Sequence, residues 1–470
     1  MSCVVENNNK LFVIVKGAFD ELIKSCKLSL EEKKEIEKIN LEFSTSGKRV
    51  LGLGIKEIKN SKNLKTPKDV ENNLKFIGLL GIVDPIRPEV KMSIKQCITS
   101  GIKVVMITGD HALTATNIAK ELGFFLPGDI AITGTELDEM SDDEFRQKIN
   151  KISVYARVSP ANKLRIVKMF KSLDQVVAMT GDGVNDAPAL REANVGCAMG
   201  ITGTDASKDA ADIILVDDNF STIVNAIKQG RRIFANILKV INFLIASNIG
   251  ELLIILSLFI VASVLDISQT FKSIQILWIN LVSDSFPAIA LGLEKSSVDI
   301  MLEKPRGSKT NIFANKLWLK IVIESFMHAA VSLSIYFMAY YGLQQYVSDV
   351  DYEKAASTLA FMAIGLTQLF WIFSLKSQKS LFKTNIFDNK WLVIAESISI
   401  FLVLLVCFIP DNSVFGMIEL YDKPLNISLY YLYSLLIIVL FPLIWMEIEK
   451  AFFRKFVWSK NINIILKQND

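Results

Sequence analysis

The sequence has few histidines and no closely spaced cysteines. Its 470 residues include two histidines and five cysteines, and no two cysteines form a C-x-x-C pair. This argues against a zinc site or a disulfide framework. There is also little excess of one charge, because the net charge is only +3, and nothing indicates a nucleic-acid partner. Apolar residues, in contrast, make up 51% of the chain, more than in an ordinary soluble protein.

The first half of the chain alternates short apolar runs with helix-like segments. Runs such as LKFIGLLGIVD (74–84) and KVVMITGD (103–110) are separated by segments such as PEVKMSIKQCITS (88–100). This alternation predicts βαβ units, and hence an α/β fold with a parallel sheet, over 74–239. Residues 1–73 differ, because one pair of β-like runs flanks a charged stretch, EEKKEIEK, that is typical of a solvated helix face.

Six apolar stretches follow from about residue 240, and each is long enough to cross the hydrocarbon core of a lipid bilayer. The loops after the second and fourth stretches are rich in lysine and arginine, whereas the longer loops on the other side are acidic or nearly neutral. By the positive-inside rule, we expect a multi-pass integral membrane protein whose soluble part and both termini are cytoplasmic. This all-α membrane domain covers 240–470, with helices expected at 240–265, 271–293, 317–342, 355–375, 391–410 and 426–447.

Acidic and hydroxyl side chains follow two of the predicted strands. Asp182 and Asp186 come four residues apart after the strand VVAM, and their carboxylates suit a hard cation such as Mg²⁺. A second strand ends in Thr108-Gly109-Asp110, whose hydroxyl and backbone amides suit a phosphate oxygen, and Lys163 would supply a positive charge. Alone, each motif is typical of an ordinary turn or a solvated helix. Together, at the carboxyl ends of parallel strands and beside a membrane domain, they predict a phosphate site.

The string TGDGVNDAPAL (180–190) resembles the hinge signature of P-type ATPases, a branch of the haloacid-dehalogenase-like (HAD-like) hydrolases. The resemblance implies ATP as the nucleotide. It also assigns Thr108 as the phosphate hydroxyl, Lys163 as the phosphate-neutralising lysine, and Asp182 and Asp186 as Mg²⁺ ligands. The residues that support these or resemble the family's nucleotide-binding and DPxR motifs are Asp110, Asn185, Lys16, Gly17, Arg49, Asp84 and Arg87.

The residue that the family phosphorylates has no counterpart in this sequence. P-type ATPases carry it as the aspartate of DKTGT, which attacks the terminal phosphate of ATP. Neither TGT string here, at 133–135 and 202–204, follows Asp-Lys. The resemblance therefore implies the C-terminal portion of a pump, with the remainder of a nucleotide-binding domain at 1–73 and the C-terminal part of a HAD-like phosphorylation domain at 74–239. We expect this chain to be inactive alone and to work with the missing N-terminal half if that half is separately encoded.

Polar and acidic residues interrupt the first two predicted membrane helices. Asn248 and Glu251 are three residues apart in the first, and Asn280, Ser283 and Asp284 share a face of the second. Because such groups are unfavourable in a bilayer unless they have partners, they are candidates for an ion path. Five oxygen-bearing side chains with two carboxylates favour a hard cation such as Ca²⁺, although Ser283 alone would also fit an interhelical hydrogen bond.

These strings resemble those of calcium-transporting P-type ATPases, in which SSNxGE and NLVTDxxPA carry the ligands. Gln368 in the fourth helix stands where pumps with two calcium sites have a glutamate, which implies one Ca²⁺ per cycle. Two alternatives stay open: a pump of the same family for Mn²⁺, H⁺ or Na⁺, and a non-catalytic split-gene subunit or remnant. For the remaining polar residues, Glu324 and His328 are interpreted as a packing contact, and Glu396 as extending toward the membrane interface.

Overall fold

Two compact units make up the chain. The first contains Met1–Ala226 and Met301–Lys309, and the second contains Ile227–Ile300 and Thr310–Asp470. The division falls earlier than the predicted boundary at residue 240, and one helix runs without interruption from Phe220 to Leu265. The computed structural model describes residues 1–8, 10–45, 48–58, 71–82, 85–265, 271–295, 300–307, 309–314, 316–345, 349–377, 379–409, 414–417 and 425–453.

Strands and short helices alternate along the first unit, as the sequence predicts. The strands are β1 (Ser2–Asn7), β2 (Lys10–Ala18), β3 (Arg49–Ile58), β4 (Lys75–Ile82), β5 (Met106–Thr108), β6 (Ile130–Thr133), β7 (Ile152–Ala156), β8 (Ala178–Gly181), β9 (Val195–Met199) and β10 (Ile213–Leu215). The helices of this part are α1 (Phe19–Ser25), α2 (Leu30–Thr45), α3 (Pro88–Thr99), α4 (Ala112–Leu122), α5 (Gly134–Glu139), α6 (Asp142–Lys148), α7 (Pro160–Ser172), α8 (Ala187–Glu192) and α9 (Asp205–Asp209).

The N-terminal sheet is antiparallel, with the strand order β1-β2-β3-β4. Alternation along β2 buries Val13 and Val15 and exposes Ile14, and the buried face packs against Leu22 of α1. The sequence predicts that β4 opens the parallel part of the fold, but β4 pairs antiparallel with β3. The predicted boundary at residue 73 therefore divides one sheet. The sequence did not reveal this pairing, because strands of this length and pattern pair equally well in either direction.

Two three-stranded parallel sheets form the rest of the first unit, in the orders β5-β7-β6 and β10-β9-β8. They confirm the predicted α/β fold with parallel strands. All five residues of the central strand β7 are buried, as expected for a strand covered on both faces. Helix α7 begins sharply, because Pro160 takes its first position and Ser159 accepts a hydrogen bond from the backbone of Asn162. β5 and β8 are the edge strands that end in the predicted phosphate residues.

Six helical stretches of the described residues are long and apolar enough to cross a membrane, which confirms the number and order of the predicted helices. The fourth, α14, is the most enclosed, and most of its side chains lie inside the unit. The first is longer than predicted, since it begins at Phe220 rather than near residue 240. The helices of this part are α10 (Phe220–Leu265), α11 (Ser273–Ile279), α12 (Ser285–Gly292), α13 (Leu317–Leu343), α14 (Asp349–Leu375), α15 (Lys390–Phe408) and α16 (Leu425–Phe453).

The second of the six stretches is not a uniform α-helix. Between α11 and α12, Asn280–Asp284 forms a π-helical turn. Pro287 gives the reason, because its ring has no N–H to donate and clashes with the carbonyl group of Ser283, one α-helical turn earlier. Ser285 Oγ donates to the carbonyl oxygen of Asn280 across this turn at 3.2 Å. The turn contains three of the residues predicted to bind the transported cation.

Candidate functional site

The turn after β5 holds its threonine and aspartate together. The backbone N–H of Asp110 donates to Thr108 Oγ1 at 3.1 Å, and the Thr108 hydroxyl donates to Asp110 Oδ2 at 3.2 Å. The backbone N–H groups of Arg157 and Val158 donate to the carbonyl oxygens of Asp110 and Thr108. These bonds tie the Thr108-Gly109-Asp110 turn to the segment that leads into α7.

Lys163, in the first turn of α7, reaches the loop after β8. Its Nζ atom lies 2.6 Å from Asp186 Oδ1, and the two side chains are only 16% and 8% exposed. The other carboxylate oxygen of Asp186 accepts the backbone N–H of Gly183 at 3.2 Å. Together with the ties to Thr108 and Asp110, this ion pair brings the predicted phosphate residues to one edge. We call Thr108–Asp110, Lys163 and Asp182–Asp186 the phosphate edge.

A glycine allows Asp186 to take this position. A Cβ atom added to Gly181 would clash with Cβ of Asp186, which no folded protein accommodates without a shift. A Cβ atom added to Gly183 would meet Asp186 Oδ2 at 3.6 Å, an ordinary contact. The first glycine of the TGDG string is thus required by packing, whereas the second is not.

Two residues that the sequence analysis missed position Asp182. The backbone N–H of Thr204 donates to the carbonyl oxygen of Asp182 at 2.8 Å, and Ser207 Oγ donates to the same oxygen at 3.1 Å. The carboxylate of Asp182 itself is exposed. The string TGT at 202–204 therefore has a role, and its distance along the chain from Asp182 explains why no local pattern indicated it.

The residues of the phosphate edge could supply part, but not all, of the ligands of a Mg²⁺ ion. No group of three or more His, Cys, Asp or Glu side chains within the described ranges could hold a metal ion alone. Asp182 offers an exposed carboxylate, whereas both oxygens of Asp186 already have partners. Mg²⁺ commonly binds through one or two carboxylates and takes its other ligands from water and phosphate. The donor set suits that mode.

The predicted nucleotide residues lie mostly on the antiparallel sheet. Lys16 is exposed on β2 and pairs with Leu53, and Gly17 pairs with Gly52 across the same strands. Arg49 is the first residue of β3, but its side chain is outside the described residues, as is the whole of Asp84. The ATP-binding roles of these residues stay predictions.

Arg87 has an observed partner in the loop after β10. One of its guanidinium nitrogens donates to the carbonyl oxygen of Asp218 at 2.8 Å. The Asp218 carboxylate accepts the backbone N–H of Ile201, which lowers its pKa to about 2, with further help from the N–H and hydroxyl of Thr202. Asn185 is exposed in the turn before α8. The contact of Arg87 is therefore structural, and a cofactor role for Arg87 or Asn185 stays a prediction.

Glu251 is the centre of a polar group inside the membrane helices. It is 4% exposed, and its two carboxylate oxygens accept from the side-chain amides of Asn280 at 3.1 Å and Gln368 at 2.9 Å. These bonds connect α10 to the π-helical turn and to α14. Gln368 is the residue that stands in place of a glutamate in pumps with two calcium sites, and here its side-chain amide is hydrogen-bonded to the carboxylate of Glu251.

Asp284 and Ser283 lie in the same π-helical turn without hydrogen bonds. Asp284 is 3% exposed and Ser283 is fully buried, and neither side chain has a partner among the described residues. Glu251 is close enough to act on Asp284 electrostatically. The single side-chain oxygen of Gln368, Oε1, is also buried and has no hydrogen-bond partner among the described residues. We call Glu251, Asn280, Ser283, Asp284 and Gln368 the intramembrane site.

Two predicted placements differ from the structure. Asn248 is exposed and donates to the carbonyl oxygen of Leu244 at 2.6 Å, whereas Glu251, one turn later, is buried. The role of Asn248 as a cation ligand stays a prediction. Glu396 does not extend toward the interface as predicted, because it is 2% exposed and neither carboxylate oxygen has a hydrogen-bond partner in the described part of the chain.

Comparison with known proteins gives consistent matches over most of the chain. A family model described as cation transporting ATPase, C-terminus, matches residues 268–452, and a model of haloacid dehalogenase-like hydrolases matches residues 13–194. A calcium-transporting ATPase of Bacillus subtilis is 40% identical over 421 residues, which cover 87% of this chain and 46% of the relative.

Two further relatives have the same description. Calcium-transporting ATPase 1 of Bacillus cereus is 41% identical over 442 residues, covering 88% of this chain and 48% of the relative. Calcium-transporting ATPase 1 of Lactococcus lactis is 40% identical over 406 residues, covering 84% and 44%. The chain spans about half the length of the curated relatives it matches.

Proposed function

We propose, on the basis that this chain belongs to the cation-transporting P-type ATPases, that it works in ATP-driven transport of Ca²⁺ across a membrane. The chain is an integral membrane protein, and six helical stretches of its described residues are long and apolar enough to cross a membrane. The observation that carries the choice of cation is the intramembrane site, where the buried carboxylates of Glu251 and Asp284 lie in one polar group with two side-chain amides and a hydroxyl. Such oxygen donors suit Ca²⁺ better than a soft transition metal.

The phosphate edge would hold the transferred phosphoryl group. Lys163 would neutralise its charge, Thr108 would donate to one of its oxygens, and Asp186 would keep Lys163 in place through the observed ion pair. Asp182 would bind Mg²⁺, which stabilises the charge that develops during phosphoryl transfer. ATP would reach this edge from the antiparallel sheet that carries Lys16 and Gly17.

The acceptor aspartate would come from a segment outside this sequence, since no DKTGT occurs within it. Either residues joined to this chain or a second polypeptide would supply that segment. The two parallel sheets offer a place for it, because β5 and β8 are both edge strands and both end in the phosphate edge. A strand between them, parallel to both, would bring its carboxyl end beside Thr108 and Asp182.

We also propose one Ca²⁺ per transport cycle and a cytoplasmic soluble unit. Gln368 contributes no charge to the intramembrane site, so the described residues bring two carboxylates, from Glu251 and Asp284, to balance the cation. The excess of lysine and arginine in the loops after the second and fourth membrane helices supports the orientation. On the same reasoning, both termini would be cytoplasmic.

The test compares this chain alone with this chain joined to the first half of the Bacillus subtilis relative. In lipid with γ-labelled ATP, the joined protein should form an acid-stable, hydroxylamine-sensitive phosphoprotein when Ca²⁺ is present. Asp284→Asn should remove the Ca²⁺-dependent phosphorylation, whereas Ser263→Ala, an exposed change in the same bundle, should leave it intact. The chain alone should form none, because it lacks the acceptor aspartate. Phosphorylation of the chain alone, or insensitivity of the joined protein to Ca²⁺, would contradict the proposal.

The alternative to Ca²⁺ transport by a complete pump is a non-catalytic subunit or remnant. The lack of DKTGT is the observation that favours it. Failure of the joined protein to accept phosphate, although it binds radiolabelled Ca²⁺ at the intramembrane site, would support this alternative. In that case the phosphate edge of this chain has lost its function while the membrane helices have kept theirs.

A further inference from the structure

A row of polar residues runs along α13 at a constant spacing of four. Neighbours at this spacing form a continuous ridge on a helix surface, with a rise of about 6 Å per step. Twenty residues separate its ends, which corresponds to about 30 Å, the thickness of the hydrocarbon core of a bilayer. This row, which we call the α13 row, consists of Lys320, Glu324, His328, Ser332, Tyr336 and Tyr340.

The first end of the α13 row is charged and reaches the surface. Lys320 Nζ lies 3.5 Å from Glu324 Oε1, and the lysine side chain is 31% exposed while Glu324 is fully buried. From α10, the side-chain amide of Asn242 donates to Glu324 Oε2 at 2.7 Å. From α16, the buried carboxylate of Glu449 acts on both Lys320 and Glu324 electrostatically. This end therefore joins a titratable cluster to the exterior of the bundle.

The middle of the row is buried and has no hydrogen-bond partners. His328, Ser332 and Tyr336 are at most 3% exposed, and both ring nitrogens of His328 and the hydroxyls of Ser332 and Tyr336 are unpartnered among the described residues. The imidazole ring meets Trp371 of α14 edge-on, with ring centroids 4.6 Å apart. Glu324 accepts a hydrogen bond from Asn242 and forms an ion pair with Lys320, and the packing contact expected between Glu324 and His328 stays a prediction.

The far end of the row meets a second group of polar side chains on α14. The rings of Tyr336 and Tyr340 stack with centroids 6.1 Å apart, and Tyr340 meets Tyr352 edge-on at 5.1 Å. The buried carboxylate of Glu353, next in sequence to Tyr352, acts electrostatically on Tyr336. Groups that carry or exchange protons therefore occur at every step from one end of α13 to the other.

Packing alone does not account for this row. Leucine or phenylalanine would fill the same space, and buried polar atoms without partners destabilise a folded protein. Buried polar atoms of this kind are the ones that internal water serves, and water bridges groups that are one helical turn apart. The row offers one fully buried carboxylate, already paired with Lys320, so it does not suit a divalent cation. Imidazole, hydroxyl and carboxyl groups linked by water are the elements of a proton relay.

We propose that the α13 row is a hydrated path for protons across the membrane unit, separate from the intramembrane site. Lys320, Glu324 and Glu449 exchange protons at one end, and Tyr340, Tyr352 and Glu353 do so at the other. His328, Ser332 and Tyr336 connect the two. This activity needs neither ATP nor the acceptor aspartate, so it stands or falls independently of the pump.

The experiment measures passive proton flux. Liposomes containing the purified chain and an internal pH-sensitive dye receive a membrane potential from a potassium gradient and valinomycin. Proton influx should exceed that of protein-free liposomes. Tyr336→Phe, which removes one buried hydroxyl and keeps the ring, should reduce it to the protein-free level, and His328→Phe should do the same. The matched control is Tyr341→Phe, which removes an exposed hydroxyl one residue away from the row and should leave the flux unchanged.

Three outcomes would overturn the proposal. One is an unmodified chain whose flux equals that of protein-free liposomes. Another is a Tyr336→Phe variant that conducts as well as the unmodified chain. The third is a flux of sodium or calcium through liposomes that contain the chain but no valinomycin, lost in both row variants as the proton flux is, since this would reveal a general pore. Near-equal circular dichroism and melting of Tyr336→Phe and Tyr341→Phe confirm that the comparison concerns the row and not the fold.

Discussion

The phosphate edge and the intramembrane site are each built around a buried aspartate, and they treat it in opposite ways. Asp186 at the phosphate edge has a partner for each carboxylate oxygen, Lys163 for one and the backbone of Gly183 for the other. Asp284 in the intramembrane site has no partner within the described residues for either oxygen. A satisfied aspartate strengthens the fold, whereas an unsatisfied one weakens it. The phosphate edge is therefore held by its own hydrogen bonds and ion pair, whereas the intramembrane site would be stabilised by the cation proposed to bind there.

Removal of the lysine should give the largest loss of stability. Lys163→Met leaves Asp186 partly buried without its countercharge, and breaking such a pair typically destabilises a protein by about 3 kcal/mol or more. Hydrogen exchange measured by mass spectrometry in urea should show earlier opening of the peptides of α7 and β8. Lys168→Met on the exposed face of the same helix is the control and should change little. Equal opening in both variants would mean that the ion pair does not hold the phosphate edge.

A methyl group at the first glycine of the TGDG string should give a smaller loss. Gly181→Ala forces a Cβ atom against Asp186, and overpacking of this kind typically costs about 1–3 kcal/mol. Gly183→Ala is the matched control, because its added atom makes only an ordinary contact with the same carboxylate. Urea denaturation of the two variants provides the comparison. If Gly183→Ala were the less stable of the two, the packing explanation for Gly181 would be wrong.

In the intramembrane site the same kind of change should have the opposite sign. Asp284→Asn removes an unpartnered buried carboxylate, so it should stabilise the cation-free membrane unit by about 1 kcal/mol and abolish the stabilisation that Ca²⁺ provides. The control is Glu294→Gln, since Glu294 is also buried but is paired with Asn389 at 3.0 Å and Lys376 at 3.8 Å. That variant should melt earlier. Thermal melting in detergent with and without Ca²⁺ measures both, and a destabilised Asp284→Asn protein contradicts the comparison.

The smallest effect on stability should come from protonation of Asp218 in acid, which concerns the first unit. The pKa of Asp218 is lowered to about 2 by the backbone N–H of Ile201, below the value of about 3.9 expected in the unfolded chain. A carboxylate with a lowered pKa contributes stability that is present above its unfolded pKa and is lost as the pH falls through its folded pKa. The amide chemical shifts of Ile201 and Thr202 should therefore titrate with a midpoint near pH 2, and Asp218→Asn should remove that titration.

The phosphate edge could be predicted from local patterns. A strand that ends in TGDG and a lysine near the start of a helix indicate that Asp186 and Lys163 lie near one edge, because the parallel fold brings strand ends and helix starts together, but they do not indicate the ion pair between the two. The roles of Thr204 and Ser207 could not be predicted in this way. They hold the carbonyl oxygen of Asp182 from a distant part of the chain, and no periodicity records such a contact.

The membrane helices were predictable in number, and their bounds were less so. Hydropathy identifies where a helix enters the bilayer but does not detect that α10 begins at Phe220, because its first part is polar. The pairing of β4 was also missed, since an apolar strand does not encode the direction of its neighbour. The hydrogen bond from Gln368 to Glu251 could not be predicted either, because it joins two helices that are far apart in sequence.

The π-helical turn at Asn280–Asp284 has a consequence for how this site changes in evolution. A π turn contains one residue more than an α turn, so it marks a position where a residue can be inserted or deleted at low cost. Deleting one residue here would restore the α register and rotate everything after the turn by about 100° relative to everything before it. Asn280 and Asp284 would then no longer point to the same place, although no ligand had been substituted. A one-residue deletion is thus a route, besides a point mutation such as Asp284→Asn, by which this helix would lose the proposed cation site.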